Sequence, residues 1–235
     1  VHLPWTDDLE DTFKATYKDS LIDHLPELLW DLPAGEISLT RYHYHDHISE
    51  RFAKAFADTC GDWCDKNGVR VMVPTDKEYP KSLLTLRDAP MVLYCLGELP
   101  DFENTLSCAV VGTREMSEYG KNTAYQLGAG LADCGACIVS GLALGVDGMA
   151  MAGAVEAGGA TVAVLGCGID IVYPKQHETL LRKVLEKGAV ITEYAPGVSP
   201  SGHNFPVRNR IISGLSQGTV VIDADVQSGS MITAK

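Results

Sequence analysis

Phe205-Pro206-Val207-Arg208-Asn209-Arg210 carries the clearest chemical signal in this 235-residue chain. Pro206 stands where a first helical residue should. Arg208, Asn209 and Arg210 are then expected in the first turn of a helix. Cations there oppose the helix macrodipole and are poor choices for stability alone. A bound anion would compensate them. Phe205, just ahead of the helix, is placed to stack on a base. The competing reading is a core phenylalanine and two solvated arginines. A locally unfavourable choice made twice points instead to a ligand.

Three other joints have similar chemistry. In Val111-Gly112-Thr113-Arg114, Gly112 permits a tight turn and sets Arg114 at a strand end. The free N–H groups of the next helix favour an anion nearby; a plain turn with a solvated arginine is the alternative. Ser140-Gly141-Leu-Ala-Leu-Gly145-Val-Asp147 offers a serine and two glycines whose backbone N–H groups could cradle a phosphate. Asp147 reads as an N-cap. The stretch is neither G-x-G-x-x-G nor a Walker A, so neither NAD nor ATP is expected. Gly166-Cys-Gly168-Ile-Asp170-Ile-Val-Tyr173-Pro174-Lys175 is a further glycine turn, capped by Asp170 and ending in a cation, Lys175.

These joints need strands and helices to position them. Residues 108–111, 136–139, 160–165, 189–191 and 219–222 read as short buried strands. Helices are expected over 118–133, 147–157, 176–186 and 208–215, with another opening near Ser228-Gly229-Ser230. Strands and helices alternating in this way give an α/β fold, a parallel sheet with helices on both faces. Its ligand is expected outside the C-terminal strand ends. Upstream, residues 69–73 and 91–96 read as two more strands, with Pro80 and Pro90 bracketing their connection. Residues 1–65 read as a small N-terminal helical region and 66–235 as the α/β domain.

Composition agrees with a globular chain: 46% apolar and 21% charged residues exclude disordered, collagen-like and coiled-coil classes. No apolar run is long enough to span a bilayer. With no export leader in view, the seven cysteines read as reduced thiols in a cytoplasmic protein. Cys134-x-x-Cys137 falls across a helix end and a buried strand, so a structural role outweighs redox or zinc use. Cys60 and Cys64 read as core, and His43-x-His45-x-His47 as surface; no metal site is expected. The net charge of −12 argues at first against a nucleic-acid partner. Yet residues 1–106 hold 20 of the 31 acids against 10 of the 19 lysines and arginines. The remainder is nearly neutral, and a phosphate feels the local field.

In order and wording these motifs resemble DNA-processing protein A, the DprA/Smf family. The matching stretches are residues 111–114, 117–120, 140–147, 166–174, 193–197, 205–216 and 228–234, with 79–83 and 89–94 upstream. Together the resemblance spans residues 69–235. It implies an extended Rossmann-like domain that binds single-stranded DNA without nucleotide chemistry. It further implies a recombination mediator that protects incoming DNA in natural transformation, loads the recombinase RecA and acts as a homodimer, with no cofactor. The family's DNA pocket, carried over, comprises Arg114, Ser140, Gly141, Phe205, Arg208, Asn209 and Arg210, with Lys175 added by its strand end. Ala150-Met151 stands where the family usually has Ala-His, and Asp223 where it has Glu. The resemblance also implies a further strand and glycine-rich turn beyond Lys235.

Two other classes compete. A nucleotide phosphoribohydrolase of the Lonely guy, lysine-decarboxylase-like type has a similar sheet. It would need a Pro-Gly-Gly-x-Gly-Thr-x-x-Glu motif, and Ser228-Gly229-Ser230 stands at that strand end without the glutamate. A dinucleotide-dependent oxidoreductase is disfavoured by the missing fingerprint.

Overall fold

A computed structural model describes residues 61–224 and 229–233. The His43/His45/His47 pattern, Cys60 and the expected helices before residue 61 lie outside the described residues. The expected domain boundary after residue 65 falls inside α1 (Asp62–Lys66).

Seven strands form one sheet: β1 (Arg70–Met72), β2 (Leu93–Gly97), β3 (Ser107–Gly112), β4 (Cys137–Ser140), β5 (Thr161–Val164), β6 (Ala189–Thr192) and β7 (Gly218–Ile222). Their order is β1-β2-β6-β5-β4-β3-β7. The five strands from β6 to β7 are parallel. The expectation of a parallel sheet is corrected at one edge, where β1 and β2 run antiparallel to their neighbours. Strand residues alternate between faces whichever way the strand runs, so a sequence pattern cannot assign direction. The β1–β2 connection holds only a 3-10 turn, Lys81–Thr85; an antiparallel pair needs no crossover helix.

The helices are α2 (Glu118–Asp133), α3 (Val146–Glu156), α4 (Glu178–Lys187), α5 (Asn204–Gly214) and α6 (Ser230–Thr233). The strand residues show why both faces must be covered. Val110, Ile138, Ala163 and Val190 pack with Ala124, Ala150, Ala154 and Val184 of α2, α3 and α4. Their neighbours Val111, Val139, Val164 and Ile191 point the other way, onto Ile211 and Ile212 of α5 and Leu83. The fold is therefore α/β with helices on both faces, as the alternation of elements predicts. No described helix is long and apolar enough to cross a membrane.

Gly120, Ala124, Gly128 and Ala132 recur every fourth residue on α2, making a buried stripe. A Cβ on Gly128 would strike the Ala150 carbonyl of α3, and one on Gly153 the Tyr125 carbonyl of α2. The two helices thus touch backbone to backbone. Gly128→Ala is expected to destabilise by about 1–3 kcal/mol through overpacking, outweighing the roughly 1 kcal/mol helix-propensity gain. A lower urea midpoint with unchanged slope would show it; a raised midpoint would mean that the helices separate at no cost.

Candidate nucleic-acid interface

The strand ends are tied together before any ligand is considered. At the end of β3, the chain turns at Gly112 and enters α2, whose N-cap Ser117 accepts from Gly120 N–H at 3.0 Å. The Ser117 N–H donates to Asp223 Oδ2 at 2.6 Å, which holds the Asp223 carboxyl below its ordinary range. The chain reverses direction across the sheet between β3 and β7, where doubly wound folds usually take an anion. Here the protein's own carboxylate fills that place.

At the end of β4, Ser140 is fully buried and its hydroxyl donates to the Val110 carbonyl at 2.6 Å. Gly141 N–H donates to Asp147 Oδ2 at 3.1 Å. The Gly112 and Ala143 N–H groups converge on the same carboxylate. Asp147 is therefore not the N-cap of α3; Gly145 holds that position. Asp147 instead pins the β3 and β4 loops to one point. At the end of β5, Asp170 Oδ1 accepts from Gly197 N–H at 2.6 Å, and Asn204 Nδ2 donates to the Gly166 carbonyl at 3.1 Å.

The last contact explains a correction. Helix α5 begins at Asn204, so Pro206 is its third residue and Arg208 opens the second turn. Proline is tolerated there because the first four N–H groups of a helix have no partner within it. The macrodipole argument that singled out Arg208 and Arg210 thus rested on the wrong turn. What distinguishes Arg208 is burial: it is 4% exposed. Its Nη1 donates to the Gly141 carbonyl at 2.9 Å and to that of Val164, and its Nε to Asn209 Oδ1 at 3.2 Å. Burial lowers the Arg208 pKa, and the Asp147 charge opposes this. Burial raises that of Asp147, and Arg208 with the three N–H groups opposes it. Among the described residues, Nη2 has no hydrogen-bond partner.

Arg208 borders a cavity of about 60 Å³. Its walls are the Gly141–Leu144 loop, Leu165-Gly166-Cys167, Tyr173, Phe205 and Arg114. That is far below the ~300–1,000 Å³ of clefts that enclose small molecules. The chemistry lies on its rim. Arg114 is exposed, and its guanidinium sits 5.2 Å from the Phe205 ring centroid. Tyr173 stacks on the same ring at 5.6 Å and 22°. A Cβ on Gly166 would lie 2.8 Å from Phe205 Cδ1, so the ring rests on bare backbone. An exposed cation and an aromatic pair over a buried cation make a surface that fits stacked bases and phosphates.

The structure therefore brings Arg114, Gly141, Phe205 and Arg208 together. Ser140 lies beneath them with its hydroxyl already used. Asn209 joins Arg208 to the Gly229 carbonyl, 3.2 Å from its Nδ2. Arg210 faces elsewhere: its two terminal nitrogens each lie 2.6 Å from Glu193, and its Nε lies 2.9 Å from Asp88. Lys175 is exposed, one residue beyond Pro174, and does not line the cavity. Tyr173 and Asp147 are the residues whose roles sequence reasoning missed. An aromatic beside a proline at a strand end was the available signal for Tyr173. Cys134 is exposed and Cys137 buried, its thiol pushed up to about 12 by burial. Cys137 is part of the core and poorly suited to thiolate chemistry. No group of three or more metal-ligating side chains is gathered among the described residues.

Comparison with known proteins places these features in context. Residues 70–235 match the family profile of DNA recombination-mediator protein A. The chain is 39% identical over 167 residues to protein Smf of Synechocystis, covering 70% of this chain and 42% of that protein. It is 42% identical over 166 residues to protein Smf of Escherichia coli, covering 70% and 44%. The chain thus spans less than half the length of these two relatives. The crystal structure of DNA processing protein A from Streptococcus pneumoniae superposes with a TM-score of 0.69 at 31% identity, covering 99% of this chain and 83% of that one. A structure reporting the single-stranded DNA binding mode of DNA processing protein A from Helicobacter pylori gives 0.64 at 32% identity, covering 71% and 74%.

Proposed function

Because this chain belongs to the DprA/Smf family of DNA recombination-mediator proteins, we propose that its strand-end cluster binds single-stranded DNA. In this reading the protein is a recombination mediator that shields incoming DNA in natural transformation, passes it to RecA and works as a homodimer. It is a binder, not an enzyme. The observation that carries the reading is the rim itself: Arg114 and Tyr173 both against the Phe205 ring, above the buried charge of Arg208. The cavity behind the rim is too small to enclose a nucleotide, so a strand would be met at the rim itself. Support for a role without catalysis comes from the acids. Asp147 is taken up by backbone N–H groups and Glu193 by Arg210, which leaves neither as a free general base.

The test is fluorescence anisotropy of a labelled oligothymidylate at low and moderate salt. Wild-type binding is expected to fall steeply with salt, and duplex of equal length to bind more weakly. Arg114→Ala, at an exposed position, is expected to keep the fold. It should reduce the slope of log affinity against log salt by about 0.7, the single-strand value for one lost phosphate contact. An unchanged slope would remove Arg114 from the interface, and equal affinity for duplex would overturn the single-strand reading.

A further inference from the structure

A second cavity, about 420 Å³, lies between α3 and α4. That volume is within the range of sites that hold small planar ligands. Met149 and Leu180 give it apolar walls, and the small side chain of Ala152 keeps the α3 side low beside Gly148, over which the His177 ring already lies. Gln176 and Lys183 supply hydrogen-bonding groups at its border. His177 also lines it, with Nδ1 2.8 Å from the Leu142 carbonyl. A carbonyl only accepts, so Nδ1 is the donor in this contact. Glu156, the carboxylate of the lining, is held by the Tyr125 hydroxyl at 2.6 Å.

This groove is continuous with the strand-end interface. Leu144, 41% exposed, borders both cavities. The segment from Tyr173 to His177 also runs along both. Tyr173 and Pro174 line the first, and Gln176 and His177 line the second. Lys175, exposed, stands between them.

We propose that the α3–α4 groove receives a nucleobase of the same DNA strand, one nucleotide along from the base stacked at Phe205, with Lys175 holding the phosphate between them. The inference rests on the single-stranded DNA reading. It adds a second base site and a direction for the strand, from the Phe205 rim over Leu144 toward α4.

Photo-crosslinking tests it on the unaltered protein. An oligothymidylate with 5-iodouracil at each position in turn is irradiated with the protein, and the joined peptides are identified by mass spectrometry. Substitution at neighbouring positions is expected to join peptides containing Phe205 or Tyr173 and peptides containing Met149 or residues 176–183. Ala152→Trp, which fills the groove, is expected to weaken oligothymidylate binding about tenfold, the worth of one stacked base, while leaving the salt slope unchanged. Cross-links confined to Phe205 and Tyr173, with Ala152→Trp binding as wild type, would overturn the groove and leave the first site standing. Wild-type protein that binds no oligonucleotide at low salt would overturn both.

Discussion

Arg208→Ala is expected to lower the stability of the fold by about 3–5 kcal/mol, the combined cost of leaving two buried carbonyls without a donor and a buried carboxylate without its neighbouring cation. Arg208 is the buried cation facing Asp147, and its Nη1 supplies donors to the Gly141 and Val164 carbonyls. Truncation would leave two carbonyls without that donor and Asp147 with its backbone N–H donors but without the neighbouring cation. Urea unfolding followed by circular dichroism measures the loss. Arg208→Lys, with a charge but no planar fork, is expected to fall between wild type and alanine. DNA affinity of the alanine variant would report folded fraction as much as contact, so Arg114 is the cleaner probe of phosphate binding. An Arg208→Ala midpoint equal to wild type would show that water enters the cavity and hydrates Asp147 without cost.

Glu193→Ala is expected to cost about 3 kcal/mol for a related reason. Glu193 is 4% exposed and makes a two-pronged pair with Arg210, whose side chain is 19% exposed. The pair joins the end of β6 to α5, and Arg210 carries on to Asp88 in the loop before β2. Removing the carboxylate leaves a largely desolvated guanidinium with only Asp88 and the Val207 carbonyl as partners. The double variant Glu193→Ala, Arg210→Ala is expected to recover part of the loss, because no charge is left unpaired. The same pair decides a functional question. With both terminal nitrogens engaged by Glu193, Arg210 is expected to act as a brace, and Arg210→Ala to leave the salt slope of DNA binding unchanged. A slope reduced as in Arg114→Ala would mean that Arg210 exchanges Glu193 for a phosphate when DNA arrives.

Much of the architecture was legible in the chain itself. The helix expected over 118–133 is present with those bounds, because a serine cap, small residues every fourth position and a glycine at 135 all agree. The five parallel strands were equally clear, since each is a short apolar run, three of them closed by a glycine joint. Local chemistry also placed the strand-end cluster: Gly112, Gly141 and Gly166 end strands, and parallel strands bring their ends to one edge. Arg114, Phe205 and Arg208 could therefore be gathered from the sequence, although they lie up to 94 residues apart.

Tertiary structure decided the rest. Strand direction at the β1–β2 edge depends on a connection that the alternation of side chains does not encode. The start of α5 was set by Asn204 reaching the Gly166 carbonyl, a partner 38 residues away, against the local signal of Pro206. Arg208 and Arg210, two residues apart and chemically alike, received opposite surroundings. One closes the floor of the cavity beside Asp147; the other turns to Glu193 and Asp88. A residue's type gives its charge and reach, and the sequence around it gives its element. Which partners it meets depends on segments brought together from far along the chain, and only the packed sheet and its loops determine that.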